Sequence, residues 1–253
     1  MAAGIKVFRD HFKDFSDQYV VIGGMACDLL LNDAGLDFRI TKDIDMVLIV
    51  EAMTEEFAAA FWKFIDTGGY KARQRSSGKH EFYRFIDPVE PGYPSMIELF
   101  ARPENNIRLN YQGDLIPLHV SDELSSLSAI LLNKAYYEFL LSGRATAGNV
   151  SVLDALHLVP MKMKAWLDLM DRKTRDEHVN TRDIRKHRQD IFRLFPLIDP
   201  DTRLEVPFEV YDDIQTFLLS VESQPFDPKT IGLSLDKNSV LTVYRNIYLL
   251  AKE

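Results

Sequence analysis

One cysteine, Cys27, stands in a chain of 253 residues, so no disulfide can form within it. That scarcity fits a reducing compartment, and the expected location is cytoplasmic. No apolar run reaches the roughly 18 residues that a membrane-spanning helix needs, so no membrane partner is expected. The opening MAAGIKVFRDHFKDF lacks the apolar stretch of a signal peptide and reads as an amphipathic helix over 4–16. An excess of positive charge is missing too. The net charge of −8 argues against a broad, non-specific nucleic-acid binder, which would set many cations against phosphate. One segment runs against that trend: residues 162–193 hold ten Lys and Arg against six Asp and Glu. A basic stretch on an acidic protein suits a small anionic ligand, or simply a solvated helix face. Internal repeats and low-complexity segments are also absent.

What is present supports a sizeable core, with 46% hydrophobic residues. Gln18 to Ile22 reads as a short buried strand stopped by Gly23-Gly24, and 25–31 as a helix. Ile44 to Val50 is rich in β-branched residues and reads as a second strand. Residues 52–66 form a helical pattern with Phe57, Phe61 and Phe64 on one stripe. His80 to Ile86 and Ser95 to Ala101 alternate as strands, and 115–120 reads as an edge strand. Beyond Ser121 the pattern becomes helical, over 127–141, 151–170, 180–195, 206–222 and 238–252, with Pro160 expected to kink or break the second of these. The expected class is α+β: a mixed sheet flanked by helices over 1–120, followed by a helical domain over 121–253.

Alternation along a strand places Asp43 and Asp45 on one face, about 7 Å apart at Cα, with Ile44 and Met46 facing the core. Two adjacent carboxylates repel each other unless they are solvated or a divalent cation offsets them. Mg²⁺ suits one or two carboxylates together with substrate phosphates. Glu98, inside the apolar SMIELFA, is the candidate third carboxylate, because a charge there is costly without a partner. Gly23-Gly24, between a strand and a helix, would let phosphate approach the backbone and the helix N-terminus.

This order of strand, Gly-Gly, helix, Asp-x-Asp strand and carboxylate strand resembles the nucleotidyltransferase superfamily that includes DNA polymerase β. VIGGMACDLLL…FRITKDIDMVLIV more narrowly resembles the AbiEii-type nucleotidyltransferases, toxin components of type IV toxin–antitoxin systems. Their Arg-x-Thr/Ser-x-Asp-x-Asp strand is matched by Arg39, Thr41, Asp43 and Asp45. Their helical Lys-x-x-Ala is matched by Lys162 and Ala165, and a later Lys-Asp-x-x-Asp in part by Lys186 to Asp190. The sequence departs at Met25, where the family has Ser or Thr, at His187, where it has Asp, and in a spacer of eighteen residues between Gly24 and Asp43.

The resemblance implies a nucleotidyltransferase fold and transfer of a nucleoside monophosphate from an NTP to an acceptor hydroxyl or phosphate. Asp43, Asp45 and Glu98 would be the catalytic residues and the Mg²⁺ ligands. Gly23, Gly24, Arg39, Thr41, Lys162, His187 and Asp190 would serve the nucleotide. The acceptor would be an RNA or a small molecule, and a cognate antitoxin a partner. Two other readings stand beside it: a nucleotide-binding or partner-binding module that has lost turnover, favoured by Met25 and His187, and an enzyme modifying a small molecule or a protein hydroxyl. Lys164 competes with Lys162 for a phosphate role. Trp166 reads as core or as a base-stacking ring, His80 and His119 as structural, and Cys27 as a small core hydrophobe.

Overall fold

The computed structural model describes residues 4–39, 41–49, 51–76, 81–101, 116–117 and 133–252. The chain divides into two compact units: 1–119 with 144–154, and 120–143 with 155–253.

The first unit is a mixed sheet. Its strands are β1 (Tyr19–Ile22), β2 (Asp43–Leu48), β3 (Lys71–Ser76), β4 (Glu81–Ile86), β5 (Met96–Ala101), β6 (Ile116–Pro117), β7 (Arg144–Ala147) and β8 (Val150–Leu153). They lie side by side as β6-β3-β4-β5-β2-β1-β8-β7. β1 pairs antiparallel with β2, β2 parallel with β5, and β5 antiparallel with β4.

Directly paired residues share a face, so register alone sorts the two sides. Tyr19 faces Leu48 and Val21 faces Met46 across β1 and β2, while Ile44 faces Ile97 across β2 and β5. This side meets α1 (Ile5–Phe12) and α3 (Glu55–Gly68). Phe8 and Phe57 set their rings 5.6 and 6.4 Å from Tyr19, and Phe61 sits 5.5 Å from Phe85. All five rings are fully buried, each contributing about 1.5–3 kcal/mol relative to exposure. The aromatic stripe read from 52–66 is therefore the helix's inward face. Thr54 caps α3 by accepting from the Phe57 N–H, and Gly69, at φ 64°, ends it. The opposite side of the sheet carries Asp45, Glu98 and Arg84.

Three strands of this sheet escape the sequence reading. β3 is the polar KARQRS, with no apolar alternation to announce it. β7 and β8 form an antiparallel hairpin around Gly148 and Asn149, both at positive φ. That two-residue turn was the available signal, yet Ser151 reads equally well as a helix start. The hairpin extends the sheet beside β1, so residues 144–154 belong with the sheet rather than with the helices that flank them in sequence.

The second unit contains α4 (Lys134–Ser142), α5 (Ala155–Thr174), α6 (Thr181–Arg193), α7 (Phe208–Glu222), α8 (Lys237–Ile247) and a short parallel pair, β9 (Leu204–Val206) with β10 (Tyr248–Leu250). Pro160 does not break α5. A proline there removes the N–H that would bond the carbonyl of Leu156, one turn back. Tyr248 supplies the missing donor, its hydroxyl lying 2.7 Å from that carbonyl oxygen. Trp166 is core, edge-on to Phe217 at 5.2 Å. The expected helix over 238–252 gives way to strand at Tyr248. His80, His119, residues 115 and 118–120 of the expected edge strand and residues 127–132 of the expected 127–141 helix lie outside the described residues.

Candidate active site

The site follows from register. Asp45 lies directly across from Glu98, and Glu98 directly across from Arg84. Three neighbouring strands thus present two acids and a base in one row. Arg84 Nε donates to Glu98 Oε1 at 2.7 Å, and Nη2 approaches the same oxygen at 2.5 Å. Burial pushes the Glu98 carboxyl up to about 9, the Asp45 charge and a hydrogen bond that the protonated Glu98 donates to Asp45 add to the rise, and Arg84 opposes it. Two carboxyl groups pressed together in this way hold a proton between them unless a cation takes its place. Asp43, half-buried, is two residues along the same face, opposite Met96. Among the described residues no group of three His, Cys, Asp or Glu side chains is placed to hold a metal ion. Asp45 and Glu98 stand directly across from each other, and Asp43 is offset from them by two residues along β2. The pair still fits a hard cation that keeps phosphate oxygens as its remaining ligands.

Gly23 and Gly24 begin α2 (Gly23–Asp33) immediately after β1. Gly23 has φ 67°, and a Cβ on it would overlap Asp45 Oδ2. A Cβ on Gly24 would stand 3.1 Å from Arg39 Nη2 and 3.2 Å from Thr41 Oγ1. The glycines therefore seat the Asp45 carboxylate on one side and Arg39 with Thr41 on the other. This explains chemically why a pair of residues without side chains sits at this turn. Met25 is fully buried, so it offers nothing to a ligand. Cys27 is buried as well, its Sγ 3.2 Å from the Gly23 carbonyl.

Lys162, His187 and Asp190 lie in the helical unit. Lys162 Nζ donates to Asp190 Oδ2 at 3.1 Å, with side chains 6% and 1% exposed. Arg193 adds a contact at 3.4 Å. The pair bridges α5 and α6, and this accounts for a lysine on the buried apolar face of α5. His187 is half-buried on α6, three residues before Asp190. Asp190→Ala should leave the Lys162 ammonium buried without its main counter-charge and cost about 3–5 kcal/mol. Lys162→Met combined with Asp190→Leu should recover most of that loss. Denaturant unfolding measures both; a wild-type midpoint for Asp190→Ala would show that the pair holds nothing together.

Lys164 has a separate setting. Its ammonium lies 3.4 Å from Asp168 and 3.1 Å from Asp213, and Tyr136 donates to Asp213 at 2.8 Å. Burial works against the lysine's charge, but the two aspartates outweigh it and raise its pKa. Asp168 is legible at i+4, whereas Asp213 comes from α7 and could not be found by spacing. Arg84 was missed for the same reason: its meaning depends on the strand opposite.

No protein-family model and no curated protein matches the chain. Solved structures resemble it loosely. The Cid1 poly(U) polymerase matches at 12% identity over 64% of this chain and 37% of its own, with a TM-score of 0.24. A cytoplasmic RNA terminal U-transferase matches at 11% over 96% of this chain and 63% of its own, with a TM-score of 0.29. MenT4, a nucleotidyltransferase toxin from Mycobacterium tuberculosis, matches at 14% over 95% and 80%, with a TM-score of 0.31. The chain thus spans less than two thirds of the first two. Likenesses this loose leave the functional reading to the site's own geometry.

Proposed function

We propose that the protein transfers a nucleoside monophosphate from an NTP to an acceptor hydroxyl or phosphate, releasing pyrophosphate. The observation that carries this reading is the Asp45–Glu98 pair seated against Gly23, with Arg39 and Thr41 gathered at Gly24. Asp45 and Glu98 would hold Mg²⁺, with Asp43 reaching it from the same strand face. Bound there, Mg²⁺ would offset triphosphate charge and ease deprotonation of the acceptor.

The chain's own residues do the rest. At the Gly23-Gly24 turn the first N–H groups of α2 lack intrahelical partners and would meet phosphate oxygens. Arg39 offsets the charge that grows on the departing pyrophosphate, and Thr41 Oγ1 offers a hydrogen bond beside it. Lys162 and Asp190 serve mainly by fixing α5 against α6. An RNA acceptor, a toxin role and a cognate antitoxin belong to the narrower AbiEii-type reading.

A second reading, a nucleotide-binding module without turnover, draws on two observations: the buried Met25 offers no hydroxyl to phosphate, and Arg84 already engages Glu98. Incubation with labelled NTPs, Mg²⁺ and candidate acceptors separates the two. Transfer by the wild type and none by Asp43→Ala supports the enzyme. Metal-dependent NTP binding with no transfer to any acceptor supports the module, and equal labelling by both proteins sinks the assignment.

A further inference from the structure

Of the three residues Asp45, Glu98 and Arg84, the last is not called upon by the nucleotidyl-transfer chemistry. Its Nε and Nη2 converge on a single oxygen, Glu98 Oε1. The side chains are 18% and 9% exposed, so this is not a solvated surface pair that salt would dissolve. Backbone register sets the partnership, because Arg84 stands across β4 and β5 from Glu98 just as Glu98 stands across β5 and β2 from Asp45. The planar fork of the guanidinium fixes the carboxylate it grips.

We propose that Arg84 is a positioning residue that holds Glu98 by Oε1, leaving Oε2 as the oxygen available on the Asp45 side. This deepens the nucleotidyltransferase reading and rests on it. Without a grip on its outer oxygen, Glu98 would be free to turn away from Asp45 whenever neither a proton nor a cation joins the two carboxyl groups. With Arg84 in place, the glutamate keeps one oxygen turned to the reacting groups. Arg84 acts through Glu98, so its loss should slow the chemical step without weakening NTP binding.

The test is a double-mutant cycle of Arg84→Met and Glu98→Gln. Each single variant should lower kcat roughly a hundredfold, with KM for NTP changed by no more than about twofold. Arg84→Met in the Glu98→Gln background should cost nothing further, because the interaction it served is already gone. Arg84→Lys should restore part of kcat. In metal-free protein, Arg84→Met should lower Tm, and the drop should shrink in the Glu98→Gln background. Losses that multiply in the cycle, or an Arg84→Met variant with full kcat, overturn the inference. If Asp45→Asn and Glu98→Gln themselves leave transfer intact, the enzyme reading fails instead. The thermal cycle then still decides whether Arg84 grips Glu98: equal Tm losses in both backgrounds would overturn it.

Discussion

Asp45→Asn is expected to lower nucleotidyl transfer by at least about a thousandfold, equivalent to roughly 4 kcal/mol of transition-state stabilisation. The change removes one charge and almost no volume. Asp45 is also the residue on which the site converges. It pairs with Glu98 across β2 and β5, with Ile22 across β1 and β2, and its carboxylate fills the space beside Gly23. An asparagine there can still pack, but it cannot help hold a divalent cation between two carboxylates. Folding should survive, because the amide keeps the shape of the carboxylate and can hydrogen-bond Glu98. The check is label transfer from NTP together with a thermal melt. A folded Asp45→Asn protein that transfers at the wild-type rate would falsify the site.

The second large effect is expected from Gly23→Ala. Two costs combine at this position. Alanine at φ 67° costs about 1–2 kcal/mol on backbone grounds. Its Cβ would also meet the Asp45 carboxylate, so either the turn or the aspartate must move. A displacement of about 1 Å at a reacting group can cost a hundredfold in rate, and a loss of that order is expected here. Gly35→Ala supplies the control. Gly35 has φ 72° but nothing within 4 Å of a Cβ, so it carries the backbone cost alone. Stability should fall for both variants, while transfer should fall steeply only for Gly23→Ala. Equal activity in the two would mean that the turn does not shape the site.

Much of this site was legible because strand alternation is a local rule. Asp43 and Asp45 had to share a face, Ile44 and Met46 had to oppose them, and a Gly-Gly pair between strand and helix had to mark a close approach. The aromatic stripe of α3 announced the sheet face it covers. Other features were hidden because they depend on residues far away in sequence. KARQRS becomes a strand only because β4 lies beside it. Pro160 stays within a helix because Tyr248, 88 positions later, bonds the carbonyl that the proline leaves open. Spacing cannot reveal that Lys162 is held by Asp190, or Lys164 by Asp213.

The sequence by itself determined the α+β class, the face on which Asp43 and Asp45 project, and the need for glycine before α2. Each of these follows from the period of a strand or from the volume of a side chain. Tertiary structure alone decided that Glu98 stands against Asp45, that Arg84 grips Glu98 from the other side, and that Asp43 lies across from Met96. Strand order and register set those three relations. They are fixed by pairing between segments whose distance along the chain says nothing about their distance in space.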